Sequence, residues 1–219
     1  ADDVPAVVVS IKPVHSLAAA IMDGVGEPTL LIDRAGSPHA FSLKPSQAAA
    51  LDDADLVIWI GPALESFLVA PMGSLVGDGR SLALIELPGI DPLPLREGGV
   101  WAAHDDDHGD AHDEAHHDED HEGAVDGHIW LDPRRAAIMA AAIAHRLAGI
   151  DPAHAGIYES NLAAVLARID ALIETTQTTL APVRDTPFIV FHDAYRYFDA
   201  RFDLVAAGSI ALDPEQAPS

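Results

Sequence analysis

The chain of 219 residues contains no cysteine. Thiolate metal sites, thiol redox motifs and disulfide bonds are therefore excluded. Any metal ligands have to come from other side chains. The absence of cysteine also leaves the cellular compartment open, because cysteine usage is the feature that would distinguish an oxidising compartment from a reducing one.

Positive charge is also scarce, with 12 Lys and Arg residues against 35 Asp and Glu residues and a formal net charge of -23 at pH 7. Such a field repels nucleic acid and anionic membrane surfaces, whereas it attracts cations. Long apolar runs are missing as well, since the Ala-rich stretch from Ala136 to Ile150 is interrupted by His145 and Arg146. We therefore expect neither a nucleic-acid partner nor insertion into a membrane.

The N-terminus has no apolar segment of the kind that forms a signal peptide. A chain that begins Ala1-Asp2-Asp3 resembles a mature protein whose signal peptide has been removed, and a trimmed chain begins in the same way. The N-terminus alone leaves both interpretations open, the mature form of an exported protein and a trimmed chain.

The segment HDDDHGDAHDEAHHDEDHE, residues 104–122, holds six of the 12 histidines and ten acidic side chains, with no Lys or Arg. It offers almost no apolar surface to repay the entropy of ordering, so we expect a solvated loop. Neutral imidazoles beside carboxylates are donors that Zn²⁺ accepts. We interpret the loop as an auxiliary metal-binding segment, with a plain acidic linker as the alternative. Its histidines are His104, His108, His112, His116, His117 and His121.

Before this loop, short apolar runs alternate with helical patterns, which predicts an α/β fold with a parallel sheet covered on both faces. At 49% hydrophobic residues, the chain can form one good core or two modest ones. The predicted strands are Val7–Ile11, Thr29–Ile32, Leu56–Ile60 and Leu82–Leu87, and the predicted helices are Val14–Val25 and Ser46–Ala54.

After the loop the pattern is helical. Asp132-Pro133 and Asp151-Pro152 each place a capping side chain before a proline, which predicts two helix starts. The second helix runs unbroken to about Leu180 and would be roughly 40 Å long, enough to connect two lobes. Its predicted apolar stripe is Ile157, Asn161, Val165, Ile169, Leu172 and Ile173.

A second α/β unit then begins, with strands at Phe188–Phe191 and Leu204–Ile210 and a helix at Tyr195–Phe202. Two strands are too few for an independent sheet, so we expect the sequence to stop short of the natural end. The predicted domains are an N-terminal lobe at 1–131, a helix at 132–150, a connector helix at 151–181 and the start of a C-terminal lobe at 182–219.

Three histidines outside the loop follow predicted strands or precede helices: His39 in SPHAF, His128 in DGHIW and His192 in FHDAY. Ligands of open parallel sheets bind at the carboxyl ends of the strands, so these positions can converge on one crevice. One such histidine alone would more often be structural. The convergence of three predicts a metal site.

Four segments resemble a known family: GSPHAFSLKPSQ, LVIWIGPALESFL, DGHIWLDPRRA and IVFHDAYRYF. They are similar to the zinc-specific solute-binding proteins of bacterial ABC importers, within the cluster A-I metal-binding family, and occur in the family's order from near Val7 to the end. The resemblance implies two α/β lobes joined by a rigid helix, one Zn²⁺ held between them, and delivery to a membrane permease. It also implies a periplasmic protein, and we expect a monomer.

The resemblance implies that His39, His128 and His192 are the zinc ligands. Some zinc-binding members have a glutamate before the first histidine, where this chain has Pro38, so the fourth donor is left open between water and an acidic side chain beyond Ser219. Manganese-binding relatives generally use more carboxylates. Three imidazoles favour zinc, and a manganese or other divalent-metal protein of the same fold is the alternative.

Three histidines plus water are also typical of a catalytic zinc site, which makes a zinc-dependent hydrolase a further alternative. Hydrolytic sites often use HExxH, and the chain has none, since His121-Glu122 lacks the second histidine. A pure metal buffer acting through the loop would not explain the two-lobed scaffold. We therefore expect a transport protein and not an enzyme.

Three further residues are candidates for lining the cleft. His15 opens the first helix, Glu65 follows Gly61-Pro62 where a helix could start, and Asp193 lies beside His192 and could orient an imidazole. Each also has an ordinary structural interpretation: a helix terminus, a helix start and a strand end, respectively.

Overall fold

The computed structural model describes residues 4–32, 41–96 and 125–211. The strands in these ranges are β1 (Val7–Val9), β2 (Thr29–Leu30), β3 (Leu56–Trp59), β4 (Ser81–Ala83), β5 (Phe188–His192) and β6 (Ala206–Ala211). The α-helices are α1 (Lys12–Met22), α2 (Pro45–Asp52), α3 (Val69–Pro71), α4 (Pro133–Ile150), α5 (Ala155–Leu180) and α6 (Arg196–Phe202). Short 3-10 turns lie at Ser66–Leu68, Asp78–Arg80, Leu84–Glu86, Ile129–Leu131, Pro152–His154 and Ala181–Val183, and a π turn lies at Met72–Val76.

The first four strands form one parallel sheet in the order β2-β1-β3-β4. Successive strand side chains point to opposite faces, so Val7 and Val9 join a large core cluster with α1 and α4, whereas Val8 joins a second cluster on the other face. A sheet buried on both faces needs continuous apolar strands, which VVV and LVIW provide. The predicted α/β class is confirmed.

Several predicted boundaries in this sheet unit differ from the structure by one to four residues. Helix α1 begins at Lys12, earlier than predicted. Pro13 is tolerated in the first helical turn, because the backbone N–H that proline lacks would have no hydrogen-bond partner in the helix at that position. The predicted fourth strand ends at Ala83, where the chain enters the 3-10 turn Leu84–Glu86.

Helix α4 starts as predicted, with the Asp132 carboxylate accepting the Arg134 N–H. A helical turn also starts after Asp151 as predicted, but the predicted cap is wrong there, because the Asp151 side chain makes no capping hydrogen bond. It accepts the Tyr158 hydroxyl at 2.7 Å and lies 2.8 Å from Nδ1 of His154. Pro152–His154 form a 3-10 turn, and α5 begins after it.

Helix α5 has 26 residues and packs against α4 and α1. The Asn161 side chain donates to the Ile21 and Asp23 carbonyl oxygens, both at 2.9 Å, so it completes the C-terminal end of α1. The predicted apolar stripe is wrong at Ile157 and Leu172, which are 38% and 54% exposed. The buried positions are Tyr158, Val165, Ile169 and Ile173.

Strands β5 and β6 form a separate two-stranded parallel sheet joined through α6. Tyr197 and Phe202 of α6 belong to the same large core cluster as α1, α4 and α5. The start of the second unit is therefore packed on the first. Within the described residues, no helix has both the length and the apolar character required to span a membrane.

Candidate metal centre

His192 is the last residue of β5, where the strand leaves its two-stranded sheet. Its side chain is half-buried. Burial lowers the pKa of His192, and the nearby His128 lowers it further. The ring is therefore neutral at physiological pH, which is the state in which imidazole binds a metal.

His128 lies on a segment that is held at both ends. On one side, Val125 forms an antiparallel bridge with Pro94, and the Asp126 N–H donates to the Leu93 carbonyl at 2.8 Å. On the other side, the 3-10 turn Ile129–Leu131 leads into α4. His128 is only 9% exposed, so its ring has little freedom to move.

Gly127 lets this segment approach the turn that follows β3. A Cβ atom at position 127 would lie 2.8 Å from Cβ of Leu64 and 3.3 Å from the carbonyl carbon of Ala63. The turn itself is closed by the Leu64 N–H, which donates to the Gly61 carbonyl at 3.1 Å. The carboxyl end of β3 thus fixes the position of the neighbouring His128.

Asp126 orients the His128 ring. Its Oδ1 atom accepts the His128 backbone N–H at 2.9 Å and lies 2.7 Å from ring Nδ1. A carboxylate at this distance keeps the proton on Nδ1, so the lone pair is on Nε2, as in carboxylate–histidine–zinc arrangements. Among the described residues, the buried Oδ2 atom of Asp126 has no hydrogen-bond partner. A buried carboxylate oxygen without a partner is a position that an ion can satisfy.

The rings of His128 and His192 lie together, with centroids 5.5 Å apart and planes inclined by 58°. Two ring nitrogens that bind one zinc ion at about 2.0–2.1 Å in tetrahedral geometry place their ring centroids roughly 5 Å apart. The observed separation fits that arrangement. Trp130 lies beside the same His128 ring, at 5.3 Å between centroids.

The third predicted ligand, His39, lies outside the described residues, as do the six loop histidines His104, His108, His112, His116, His117 and His121. Within residues 4–32, 41–96 and 125–211, no group of three or more His, Asp or Glu side chains is arranged to hold a metal. The structure therefore brings together two of the three predicted ligands.

Glu65 is fully buried beside the ends of β1 and β3. It accepts the Ser10 hydroxyl at 2.5 Å and the backbone N–H groups of Ile60 and Gly61 at 3.3 and 3.0 Å. Burial raises the pKa of Glu65, although these hydrogen bonds oppose the rise. Glu65 directly precedes the 3-10 turn Ser66–Leu68, which confirms the helix-start interpretation, although its side chain makes no capping hydrogen bond.

The other two cleft candidates have partners of their own. Nε2 of His15 lies 2.8 Å from the Pro28 carbonyl oxygen, at the start of β2. Asp193 forms an ion pair with Arg96 at 2.9 Å. Burial raises the pKa of Asp193, and the Arg96 charge opposes that rise. The cleft-lining role of His15 and Asp193 stays a prediction.

Several contacts near the centre join parts of the chain that are distant in sequence. Arg201 of α6 binds both carboxylate oxygens of Asp132, at 2.7 and 2.8 Å, and the Tyr197 hydroxyl donates to the Asp126 carbonyl at 2.6 Å. Our sequence analysis missed these residues and Asp126. The Asp-x-His spacing was a local signal for Asp126, but partners about 70 residues apart leave no local signal.

A family model described as zinc-uptake complex component A, periplasmic, matches residues 7–219. The high-affinity zinc uptake system protein ZnuA of Brucella abortus is 47% identical over 232 residues, covering 97% of this chain and 69% of that protein. ZnuA of Paracoccus denitrificans is 38% identical, covering 99% of this chain and 70% of its own length.

Solved structures show the same fold. A crystal structure of ZnuA has a TM-score of 0.79 and 28% identity, covering 99% of this chain and 74% of that one. The crystal structure of a ZnuA deletion mutant with zinc bound has a TM-score of 0.74 and 25% identity, covering 96% and 73%.

Proposed function

The chain belongs to the family of periplasmic zinc-uptake components, and we propose that it binds one Zn²⁺ between its lobes through His39, His128 and His192. Members of this family are solute-binding proteins of zinc transport and not enzymes. The chain captures Zn²⁺ and delivers it to an ABC importer, and no covalent bond is made or broken.

The observation that carries this ligand assignment is the pairing of His128 with His192. The two residues are 64 positions apart, one on each side of α4 and α5, yet their ring centroids are 5.5 Å apart. Asp126 behind His128 supplies the carboxylate that zinc-binding imidazoles usually have as a partner. His39 completes the proposed set, and water or a further carboxylate supplies the fourth donor.

The donor set favours zinc over manganese. Imidazole nitrogens suit Zn²⁺, whereas Mn²⁺ prefers carboxylate and water oxygens. Two of the acidic cleft candidates are engaged in other contacts: Glu65 accepts hydrogen bonds from Ser10 and two backbone N–H groups, and Asp193 is paired with Arg96. A site built on the two described histidines is therefore rich in nitrogen.

Capture and release follow from where the ligands lie. Because the ligands come from both lobes, zinc binding fixes the relative position of the lobes. Zinc release then requires one ligand to move away from the metal. The net charge of -23 raises the local concentration of cations around the chain. The loop at residues 104–122 would act as a low-affinity collector that raises the zinc concentration near the centre.

We propose that the protein acts as a monomer in the periplasm.

Competition titration calorimetry against a zinc chelator tests the ligand assignment. Replacing His39, His128 or His192 by Ala removes one of three imidazoles, so most of the tight binding should be lost. His145→Ala is the matched control, because His145 is exposed on α4 and should leave the affinity unchanged.

Full zinc affinity in the His128→Ala protein would refute the assignment. Tight zinc binding that survives all three substitutions would instead place the site in the loop. Preference for Mn²⁺ over Zn²⁺ in the unaltered chain would support the manganese alternative.

A further inference from the structure

Tyr197 occupies a position between the two histidine-bearing segments. It lies on α6, which begins four residues after His192, and its side chain is fully buried. The hydroxyl donates to the Asp126 carbonyl at 2.6 Å and accepts the Leu93 N–H at 3.0 Å. A buried tyrosine hydroxyl needs such partners, and this one finds both of them in the first lobe.

These contacts close a ring of three hydrogen bonds. The Leu93 N–H donates to the Tyr197 oxygen, the Tyr197 hydroxyl donates to the Asp126 carbonyl, and the Asp126 N–H donates to the Leu93 carbonyl at 2.8 Å. Each residue gives one hydrogen bond and receives one. A small closed network of this kind fixes the backbone of Asp126 relative to α6.

The ring of hydrogen bonds couples the two zinc-binding imidazoles. The Asp126 carboxylate accepts the His128 backbone N–H and contacts ring Nδ1. Any displacement of Asp126 therefore also displaces His128. On the other side, α6 follows the strand that ends at His192. The distance between the two rings is therefore set through the Tyr197 hydroxyl.

Other contacts hold α6 in place independently of that hydroxyl. Arg201 binds Asp132 through two hydrogen bonds, and the Arg135 guanidinium lies 4.7 Å from the centre of the Tyr197 ring. The aromatic ring also packs in the core. Loss of the hydroxyl alone should therefore leave α6 folded and packed against the core. A change in zinc binding would then reflect the positioning role of the hydroxyl and not a loss of structure.

We propose that Tyr197 is a positioning residue for zinc binding: its hydroxyl sets the separation of His128 and His192 and thereby slows zinc release. This inference rests on the proposed function, in which these two histidines are ligands. Removing a residue that hydrogen-bonds to a metal ligand and orients it typically lowers metal affinity by about 10–100-fold. A single hydroxyl that acts on one ligand through its backbone should fall at the lower end of that range.

The test is the rate of zinc release from Tyr197→Phe into excess chelator, with the visible absorption spectrum of the Co²⁺-substituted protein as a second readout. We expect release to be roughly tenfold faster and the Co²⁺ ligand-field bands to shift.

Two matched controls separate positioning from stability. Tyr158→Phe removes another buried hydroxyl, which donates to Asp151 at the junction of α4 and α5. It should lower the melting temperature without changing zinc release or the Co²⁺ spectrum. Tyr195→Phe alters an exposed tyrosine two residues away and should change none of these quantities.

Wild-type release rates and Co²⁺ spectra in Tyr197→Phe would overturn the positioning role. If Tyr158→Phe accelerated release as much as Tyr197→Phe, the effect would be one of general stability and the inference would be wrong. Failure of the proposed function is distinguishable, because His128→Ala would then retain tight zinc binding.

Discussion

The Asp126 carboxylate receives both the backbone N–H of His128, at 2.9 Å, and its ring Nδ1, at 2.7 Å. One oxygen atom therefore fixes the backbone, the ring orientation and the tautomer of the same histidine. Asp126 is 1% exposed, so water does not compete for these contacts. Asp126 is the residue through which the fold prepares His128 for a metal.

Asp126→Ala should weaken zinc binding by about 10–100-fold, because the His128 ring loses the partner that fixes its tautomer. Competition calorimetry measures the change. Asp170→Ala is the control, since Asp170 is 60% exposed and forms an ion pair with the exposed Arg134. Equal zinc affinity in the Asp126 and Asp170 variants would contradict the role given to Asp126.

Gly127→Ala should cost about 1–3 kcal/mol in the free energy of unfolding, because its Cβ would lie 2.8 Å from Cβ of Leu64. Relief of that clash would move the His128 segment away from β3, so zinc affinity should also fall. Urea unfolding and competition calorimetry measure the two effects.

Gly149→Ala is the control for that substitution. A Cβ at Gly149, near the end of α4, meets no atom within 4 Å, so alanine there should stabilise the chain by about 0.5–1 kcal/mol. A Gly127→Ala protein as stable and as tight in zinc binding as the Gly149→Ala protein would show that the close approach at Leu64 is unimportant.

Zinc affinity should fall steeply between about pH 7 and 5, because protons compete with zinc for imidazole, whose ordinary pKa is roughly 6.5. Burial lowers the pKa of His192, so proton competition at this ligand begins at a lower pH than at an ordinary histidine. The loop histidines should therefore lose zinc first. Equilibrium dialysis at stepped pH measures this order, and affinities that stay flat across the interval would indicate coordination by carboxylates only.

Deleting residues 103–123 removes six histidines and ten acidic side chains. On our account it removes no ligand of the tight site, and the entropy of loop closure depends only weakly on loop length. The shortened chain should fold, keep one tight zinc per chain and lose the weaker additional equivalents. Isothermal titration gives the stoichiometry. If the deletion abolished the tight site, the loop would have to contribute a primary ligand.

Local sequence patterns predicted the six strands and the longer helices, but they missed the short helical segments between Ser66 and Arg80. The run Val7–Val9 became a buried strand, and Asp132 followed by Pro133 began a helix with the predicted cap. The same Asp-Pro pattern marks a helix start at Asp151, but the capping hydrogen bond is absent there, because Tyr158 and His154 engage the carboxylate. A capping rule considers only the residues at the helix start. It does not include side chains one to two helical turns further along the chain that compete for the carboxylate.

Strand-end patterns and a family resemblance selected His128 and His192, and the structure places them together. The residues that hold them there escaped prediction. Tyr197 reaches the Asp126 carbonyl across 71 positions, and Arg201 reaches Asp132 across 69. A single sequence carries periodicity and spacing, but contacts of this range depend on how α6 packs against the first lobe.

X-ray absorption at the zinc edge, on the chain loaded with one equivalent of Zn²⁺, tests the central claim most directly because it counts imidazole ligands. We expect three imidazole nitrogens at about 2.0–2.1 Å and one oxygen donor, with one imidazole lost in each of the His39→Ala, His128→Ala and His192→Ala proteins. A zinc shell made of oxygen donors alone, or an unchanged imidazole count in the His128→Ala protein, would contradict the account.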